Sequence, residues 1–167
     1  MKLFIASDIH GSAVWCEKLV NAFKKEGADK LVLLGDILYH GPRNPLPEGY
    51  APQKVFDMLN PLADKIIAVR GNCDSEVDQM VLAFNVSCDY AEIWDGGKKI
   101  TLSHGHRAVP PLGKGDVYIT GHTHVPLNVY EKEGYLHLNP GSASLPKENS
   151  AHGYILYDND EFVFKNL

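Results

Sequence analysis

Leu3-Phe4-Ile5-Ala6-Ser7-Asp8-Ile9-His10 sets four apolar residues directly against an Asp-x-His pair. Four apolar residues without alternation read as a strand buried on both faces, the kind that parallel sheets contain. The same pattern returns twice. Leu31-Val32-Leu33-Leu34 is a second buried strand, stopped by Gly35-Asp36, and Ile66-Ile67-Ala68-Val69 is a third, running into Gly71-Asn72. Helices lie between them. Ser12 caps one that runs to about Glu26, with Cys16, Leu19, Val20 and Phe23 on its apolar stripe and Gly27 at its end. Pro52 opens another, with Val55, Phe56 and Leu59 on one side. Ser75 and Asp78 form a capping box for a short third helix. Strands alternating with helices argue for parallel pairing and an α/β fold.

Beyond residue 90 the pattern changes. Residues 90–94, 99–102 and 117–120 read as strands, with Asp95-Gly96-Gly97 as a turn between the first two. Residues 127–130 and 135–138 read as a hairpin around Glu133-Gly134, and residues 154–157 and 161–164 as another around Asp158-Asn159-Asp160. The expectation is one sheet that starts from βαβ units and a second built largely from hairpins, packed together with helices outside. No repeat, low-complexity tract or linker interrupts the chain, so residues 1–167 are expected to form one domain. Two loops stand out: residues 39–52 hold Pro42, Pro45, Pro47 and Pro52, and residues 107–116 hold Pro110, Pro111, Gly113 and Gly115. Each reads either as plain surface loop or as a wall or lid over a site at strand C-termini.

Composition narrows the function. Of 167 residues, 44% are hydrophobic and 22% charged, which argues against disorder, collagen and a disulfide scaffold. A net charge of −5 makes the chain a poor non-specific binder of nucleic acid or anionic membrane. Cys16, Cys73 and Cys88 cannot all pair and no CxxC occurs, which suits free thiols in a reducing cytoplasm. The N-terminus offers no signal-peptide core, and no apolar run approaches the roughly 20 residues that span a bilayer. A small-molecule partner is expected, and the oligomeric state stays open, a homo-oligomer included.

The polar residues that close the strands carry the chemistry. To Asp8, His10, Asp36 and Asn72 the later strands add Ser103-His104-Gly105-His106 and Gly121-His122-Thr123-His124. Parallel strands bring their C-terminal ends to one edge, so two carboxylates, an amide and several imidazoles should converge. Burying them unpaired is costly, and a metal removes that cost, as a hydrogen-bonded network also would. In extended chain, residues i and i+2 point the same way, so Asp8 and His10 should grip one ion and His122 and His124 should straddle two. Alone, each feature has a plainer reading as a hydrogen-bonded histidine or a turn. Five of them in order, each closing an apolar run, point to metal. Imidazole and carboxylate without cysteine pairs argue against a structural zinc knot. They favour Mn²⁺, with Fe, Zn²⁺ or Ni²⁺ as alternatives, over Mg²⁺.

Together, Asp8-x-His10, Gly35-Asp36, Gly71-Asn72-x-Asp74, His104-Gly105 and Gly121-His122-x-His124 resemble the signature of the calcineurin-like metallophosphoesterases. Residues 41–44, 46–50, 70–75 and Asn139-Pro140-Gly141-Ser142 are similar to the small bacterial YfcE-like phosphodiesterases within that superfamily. The resemblance covers nearly the whole chain. It implies a four-layer αββα sandwich of two mixed sheets flanked by helices. It also implies two divalent ions: Asp8, His10 and His124 hold the first, Asn72, His104 and His122 the second, and Asp36 bridges them. Asp36, Asn72 and His104 are then the catalytic residues of a phosphoric diester hydrolase, in which a hydroxide bridging the ions attacks phosphorus in line. Alternatives on the same fold are a phosphomonoesterase or nucleotide phosphatase, and a Vps29-like scaffold that has lost catalytic residues. Here all seven ligand positions are filled.

Cys73 departs from the wider pattern, which has a histidine there to assist the substrate or protonate the leaving oxygen. A thiol with an ordinary pKa of about 8.5 is a poor general acid near neutrality, although cysteine is typical of the YfcE-like group. Without that histidine, Asp74 is left to support the helix at Ser75. Cys73, Arg43 and His106 are the candidate substrate contacts, against plainer readings of Arg43 as a solvated loop residue and His106 as a backbone hydrogen-bonder. His40, His137 and His152 read as structural or surface residues.

Overall fold

Every residue of β1 (Leu3–Ala6) is fully buried. It pairs in parallel with β2 (Lys30–Leu33) on one side and antiparallel with β9 (Gly153–Asp158) on the other. The computed structural model, which describes residues 1–167, completes this sheet in the order β10-β9-β1-β2-β3. Here β3 (Ile66–Ala68) is parallel to β2, and β10 (Glu161–Asn166) is antiparallel to β9. A second sheet runs β4-β5-β6-β8-β7. Its members are β4 (Tyr90–Asp95), β5 (Lys98–Ser103), β6 (Val117–Ile119), β7 (Pro126–Tyr130) and β8 (Leu136–Pro140). Strands β5, β6 and β8 are mutually parallel, and β4 and β7 close the edges antiparallel.

Alternation along β1 builds both cores. Phe4 and Ala6 face the helices, where they meet Leu31, Leu33 and the α1 stripe of Cys16, Leu19, Val20 and Phe23. Leu3 and Ile5 face the other way and pack with Val32, Ile100, Leu102, Ile119 and Leu138 between the sheets. Helix α1 (Ala13–Glu26) begins where the Trp15 N–H donates to Ser12 Oγ, at 3.2 Å, and ends where Gly27 turns left-handed at φ 62°. Helix α2 (Pro52–Leu59) packs on α1 and runs into a 3₁₀ turn, Asn60–Lys65. Helix α3 (Glu76–Gln79) is a single turn, started by a Ser75 N–H bond to Asp78 Oδ2 at 2.9 Å. No helix is long and apolar enough to cross a membrane.

The two-sheet α/β sandwich is the one expected, with two corrections of detail. First, the hairpin of β9 and β10 joins the first sheet, and the second sheet has a parallel centre rather than being mostly hairpins. Burial explains it. Residues 153–157 are all buried, with Tyr154 stacked on Phe4 at 4.1 Å and Ile155 and Tyr157 facing the second sheet. A strand apolar on both faces belongs inside a sheet. Second, residues 107–116 form no helix and are tied to the outer face of the second sheet at two points. The Tyr90 hydroxyl donates to the Ala108 carbonyl at 2.6 Å, and Lys99 pairs with Asp116 at 2.8 Å, which pins the segment there. Pro110-Pro111 with Gly113 and Gly115 deny it helical geometry.

Glu26 ties the end of α1 to the first sheet. It accepts from Lys165 Nζ and from the Tyr154 hydroxyl, both at 2.8 Å, with Lys2 Nζ at 3.9 Å. The Lys165 bond, against the opposing effect of burial, holds the Glu26 carboxyl below its usual range. A depressed carboxyl pKa adds stability above the unfolded-state value and loses it as pH falls through the folded one. Glu26→Gln should therefore lower stability at pH 7 by about 0.5–1 kcal/mol, a figure discounted for solvent screening. The gap from the parent should close below about pH 4. Urea titrations across that range measure it.

Candidate metal centre

The C-terminal ends of β1, β2, β3, β5 and β6 meet at one end of the sandwich. Past the strands, the first two loops stay bonded to each other: the Asp8, His10 and Gly11 N–H groups donate to the carbonyls of Gly35, Asp36 and Ile37 at 3.2, 2.9 and 2.8 Å. His104 Nδ1 donates to Leu34 O at 2.6 Å, and the His122 N–H donates to Asp8 Oδ2 at 3.0 Å, which stitches the second sheet to the first. Asp8, His10, Asp36, His122 and His124 all have positive φ, between 49° and 69°. Asp8 and His10 do converge, and so do their partners, but by left-handed turns rather than the extended chain the i, i+2 argument assumed. Each such residue costs about 1 kcal/mol or more, and residues of this kind cluster at functional sites.

Two further features hold the loops in register. The Gly71 backbone lies so close to Asp36 that a Cβ there would overlap the Asp36 carboxylate and N–H, and a Cβ on Gly121 would overlap Ser7 Oγ. Asp74, buried, accepts the N–H groups of Asp36, Ile37 and Gly71 at 2.8, 2.9 and 2.7 Å. Sequence reasoning assigned Asp74 only to the helix at Ser75. It is instead the clamp that joins the Asp36 loop to the Asn72 loop. Asn139, Ser142 and Ser144 brace the site from behind: the hydroxyls of Ser142 and Ser144 donate to Asp8 O at 2.8 and 3.1 Å, and Asn139 Nδ2 donates to Gly121 O at 2.7 Å.

All seven predicted ligand side chains are brought together. In the first group, His10 Nε2 and His124 Nε2 face each other at 3.1 Å, with Asp8 Oδ1 at 3.4 and 3.2 Å from them. In the second, His104 Nε2 lies 3.0 Å from Asn72 Oδ1 and 3.3 Å from His122 Nδ1. Asp36 Oδ2 stands between, 3.7 Å from His10 Nε2 and 3.4 Å from His104 Nε2.

The donor chemistry fits a divalent cation. His10, His104 and His124 each direct Nδ1 at a backbone carbonyl, of Tyr39, Leu34 and Leu145, at 2.8, 2.6 and 2.7 Å. A carbonyl only accepts, so Nδ1 carries a proton, and each ring in its neutral form presents the Nε2 lone pair inward. Asp8 Oδ1 is buried without a hydrogen-bond donor. Burial opposes a charged Asp8, but with no ion bound the His10 and His124 rings, once protonated, outweigh it and hold the carboxyl well below the usual range. Burial likewise opposes a charged His104, yet Asp36 and Asp8 lift it to about 9. Lone pairs converging on one another attract positive charge, and a divalent ion supplies it to all of them at once.

The candidate substrate contacts separate. Cys73 and Arg43 border a cleft of about 820 Å³ that opens over Asp36, Asn72, His122 and His124. Burial, and then the Asp36 and Asp74 carboxylates, push the Cys73 thiol up to about 12. His106 packs edge-on against His104, with ring centroids 5.4 Å apart, and is not among the residues lining the cleft. Residues 39–45 form one wall, anchored where Tyr39 O accepts from His10 and where the Gly49 and Gly11 carbonyls accept the N–H groups of Ala13 and Ala51. Lys147 and Thr123 also border the cleft, and sequence reading missed both. No local motif marks Lys147.

Residues 1–161 match the model of the calcineurin-like phosphoesterase superfamily domain, and the chain belongs to this family. It is 50% identical over 165 residues to phosphodiesterase YfcE of Escherichia coli strain K12, which covers 96% of this chain and 89% of that protein. The solved structure of the E. coli phosphoesterase YfcE matches at a TM-score of 0.92 and 49% identity, over 96% of this chain and 90% of that one. Vps29 of Entamoeba histolytica, solved with Zn²⁺, matches at a TM-score of 0.60 and 22% identity, over 96% and 88%, and shares the fold alone.

Asp74→Asn leaves one acceptor oxygen where three N–H donors converge. Supporting residues of this kind are worth about 10–100-fold in metal affinity. Titration calorimetry with Mn²⁺ should show a loss in that range while the far-ultraviolet circular dichroism stays that of the parent.

Proposed function

We propose that this chain is a metal-dependent phosphodiesterase, with residues 1–167 acting as one catalytic domain. The observation that carries the reading is the division of seven donors into two groups that share Asp36. Asp8, His10 and His124 would hold one divalent ion, Asn72, His104 and His122 a second, and Asp36 both. Bound there, such ions would supply the Lewis acidity that makes water nucleophilic near neutral pH and offsets charge on the phosphoryl oxygens. The protein's own part is placement. Asp8 and Asp36 are the only anionic donors, so the loaded site would remain cationic inside an acidic protein and draw a phosphate diester. The cleft volume lies in the upper part of the range for small-molecule sites, which suits a phosphorus bearing two esterified groups. The 50% identity to a named phosphodiesterase supports the same reading. Mn²⁺ suits the mixed imidazole and carboxylate donors best. The acidic surface argues against stable nucleic-acid binding, and three free cysteines suit the cytoplasm.

The reading is tested by metal counting and turnover together. Chelator-stripped protein reloaded with Mn²⁺ should bind two ions per chain and hydrolyse bis-p-nitrophenyl phosphate. Asp36→Asn should abolish the second ion and most of the turnover, whereas Arg43→Ala should cost far less on this substrate. A stoichiometry of one at saturation would refute the shared-carboxylate arrangement.

Position 73 sets the range of leaving groups. A thiol is poorly matched to general acid catalysis near neutral pH, so alkoxide leaving groups gain little help from Cys73 while aryl oxides need little. Cys73→His places an imidazole of pKa about 6.5 at the cleft. Turnover of alkyl and nucleoside diesters should rise by up to about 10²-fold, and that of aryl diesters should barely change. Steady-state rates on the two classes, at equal metal content, decide the matter.

A further inference from the structure

Arg43 and Lys147 border the cleft from different chain segments, Arg43 from the wall after Asp36 and Lys147 from beyond β8. Of the three arginines, Arg70 and Arg107 pair with Glu76 and Asp89, whereas Arg43 pairs with no carboxylate. Lys147 is a long, flexible side chain on an unusually fixed base. Its N–H donates to the carbonyl of His124 at 3.1 Å. Its own carbonyl accepts the Ser150 N–H at 3.0 Å and the Ser150 hydroxyl at 2.6 Å. The intervening Glu148 and Asn149 are both left-handed, at φ 53° and 57°. A left-handed turn thus sets the Lys147 backbone against a residue of the candidate metal centre, and places Lys147 on the border of the cleft.

Charge then limits what this cleft is built to hold. A simple diester carries one negative charge, at the scissile phosphorus, and the cationic centre already answers it. Two more unpaired cations at the same cleft ask for a second anion. Guanidinium matches phosphate oxygens in pairs, and ammonium meets them as a point charge. Tyr39, Pro42 and Pro45 give the cleft apolar surface for one arm of the ester, and Arg43 and Lys147 give it charge for an anionic one.

We infer that the substrate is a phosphodiester carrying a further phosphate on one of its esterified arms, and that Arg43 and Lys147 hold that second phosphate. This rests on the diesterase reading and specifies its substrate class. The test compares p-nitrophenyl thymidine 5′-phosphate with its 3′-phosphorylated form. The parent enzyme should show a kcat/KM about tenfold or more higher for the phosphorylated probe. Lys147→Gln and Arg43→Gln should each lower kcat/KM about tenfold more for the phosphorylated probe than for the plain one. Lys132→Gln, in the exposed turn after β7, removes the same charge away from the cleft and should leave the ratio where it was. Arg43→Lys should recover part of the loss. Turnover of both probes with no preference, or with equal losses in each variant, overturns this inference and leaves the diesterase reading standing. Turnover of neither probe overturns this inference, and if the Mn²⁺-loaded parent also fails to hydrolyse bis-p-nitrophenyl phosphate, both readings fall.

Discussion

Lone pairs repel, and this site presses several of them together. His10 Nε2 and His124 Nε2 face each other at 3.1 Å beside Asp8 Oδ1, and Asp36 lies between His10 and His104. Left alone, such a cluster would spring apart or take up protons. The surrounding structure prevents the first. Three imidazoles are fixed by backbone carbonyls, the Asp8 carbonyl is braced by two serines, and two loops are clamped by Asp74. Five residues accept left-handed backbone to complete the arrangement. That strain persists because the hydrogen bonds around it over-determine the loops.

The same constraint explains which motif residues are chemical and which are architectural. Gly71 and Gly121 hold nothing themselves. They let Asp36 and Ser7 approach backbone at distances that any side chain would block. Asp74 likewise is bonded to none of the candidate ligand atoms, yet it accepts the N–H groups of the segment that aims Asp36. The sandwich beneath serves one purpose in this respect. Its two inner faces lock the ends of β1, β2, β5 and β6 together, so that loops from both sheets meet on a rigid edge.

Much of this was legible in the chain. Strands β1 to β3 follow from unbroken apolar runs, and α1 from its stripe, its Ser12 cap and Gly27. The candidate ligand set follows from polar residues placed where those runs stop. These are local signals, each carried by a few neighbouring residues. The partner of the β9–β10 hairpin was not legible, because an apolar strand reads the same whichever sheet receives it. Nor was the loop over the second sheet. Pro110 and Pro111 rule out a helix there, but only Tyr90 and Lys99 say what the segment covers.

The sequence by itself therefore determined the α/β class, the order of the elements and which side chains are candidates to hold metal. Tertiary structure alone decided how those side chains converge, that Asp74 joins two loops 38 residues apart, and that Lys147 reaches the cleft. Local pattern follows from rules of a few residues, such as alternation, capping and turn chemistry. Convergence depends on contacts between residues far apart in the chain, whose geometry exists only once both sheets are packed.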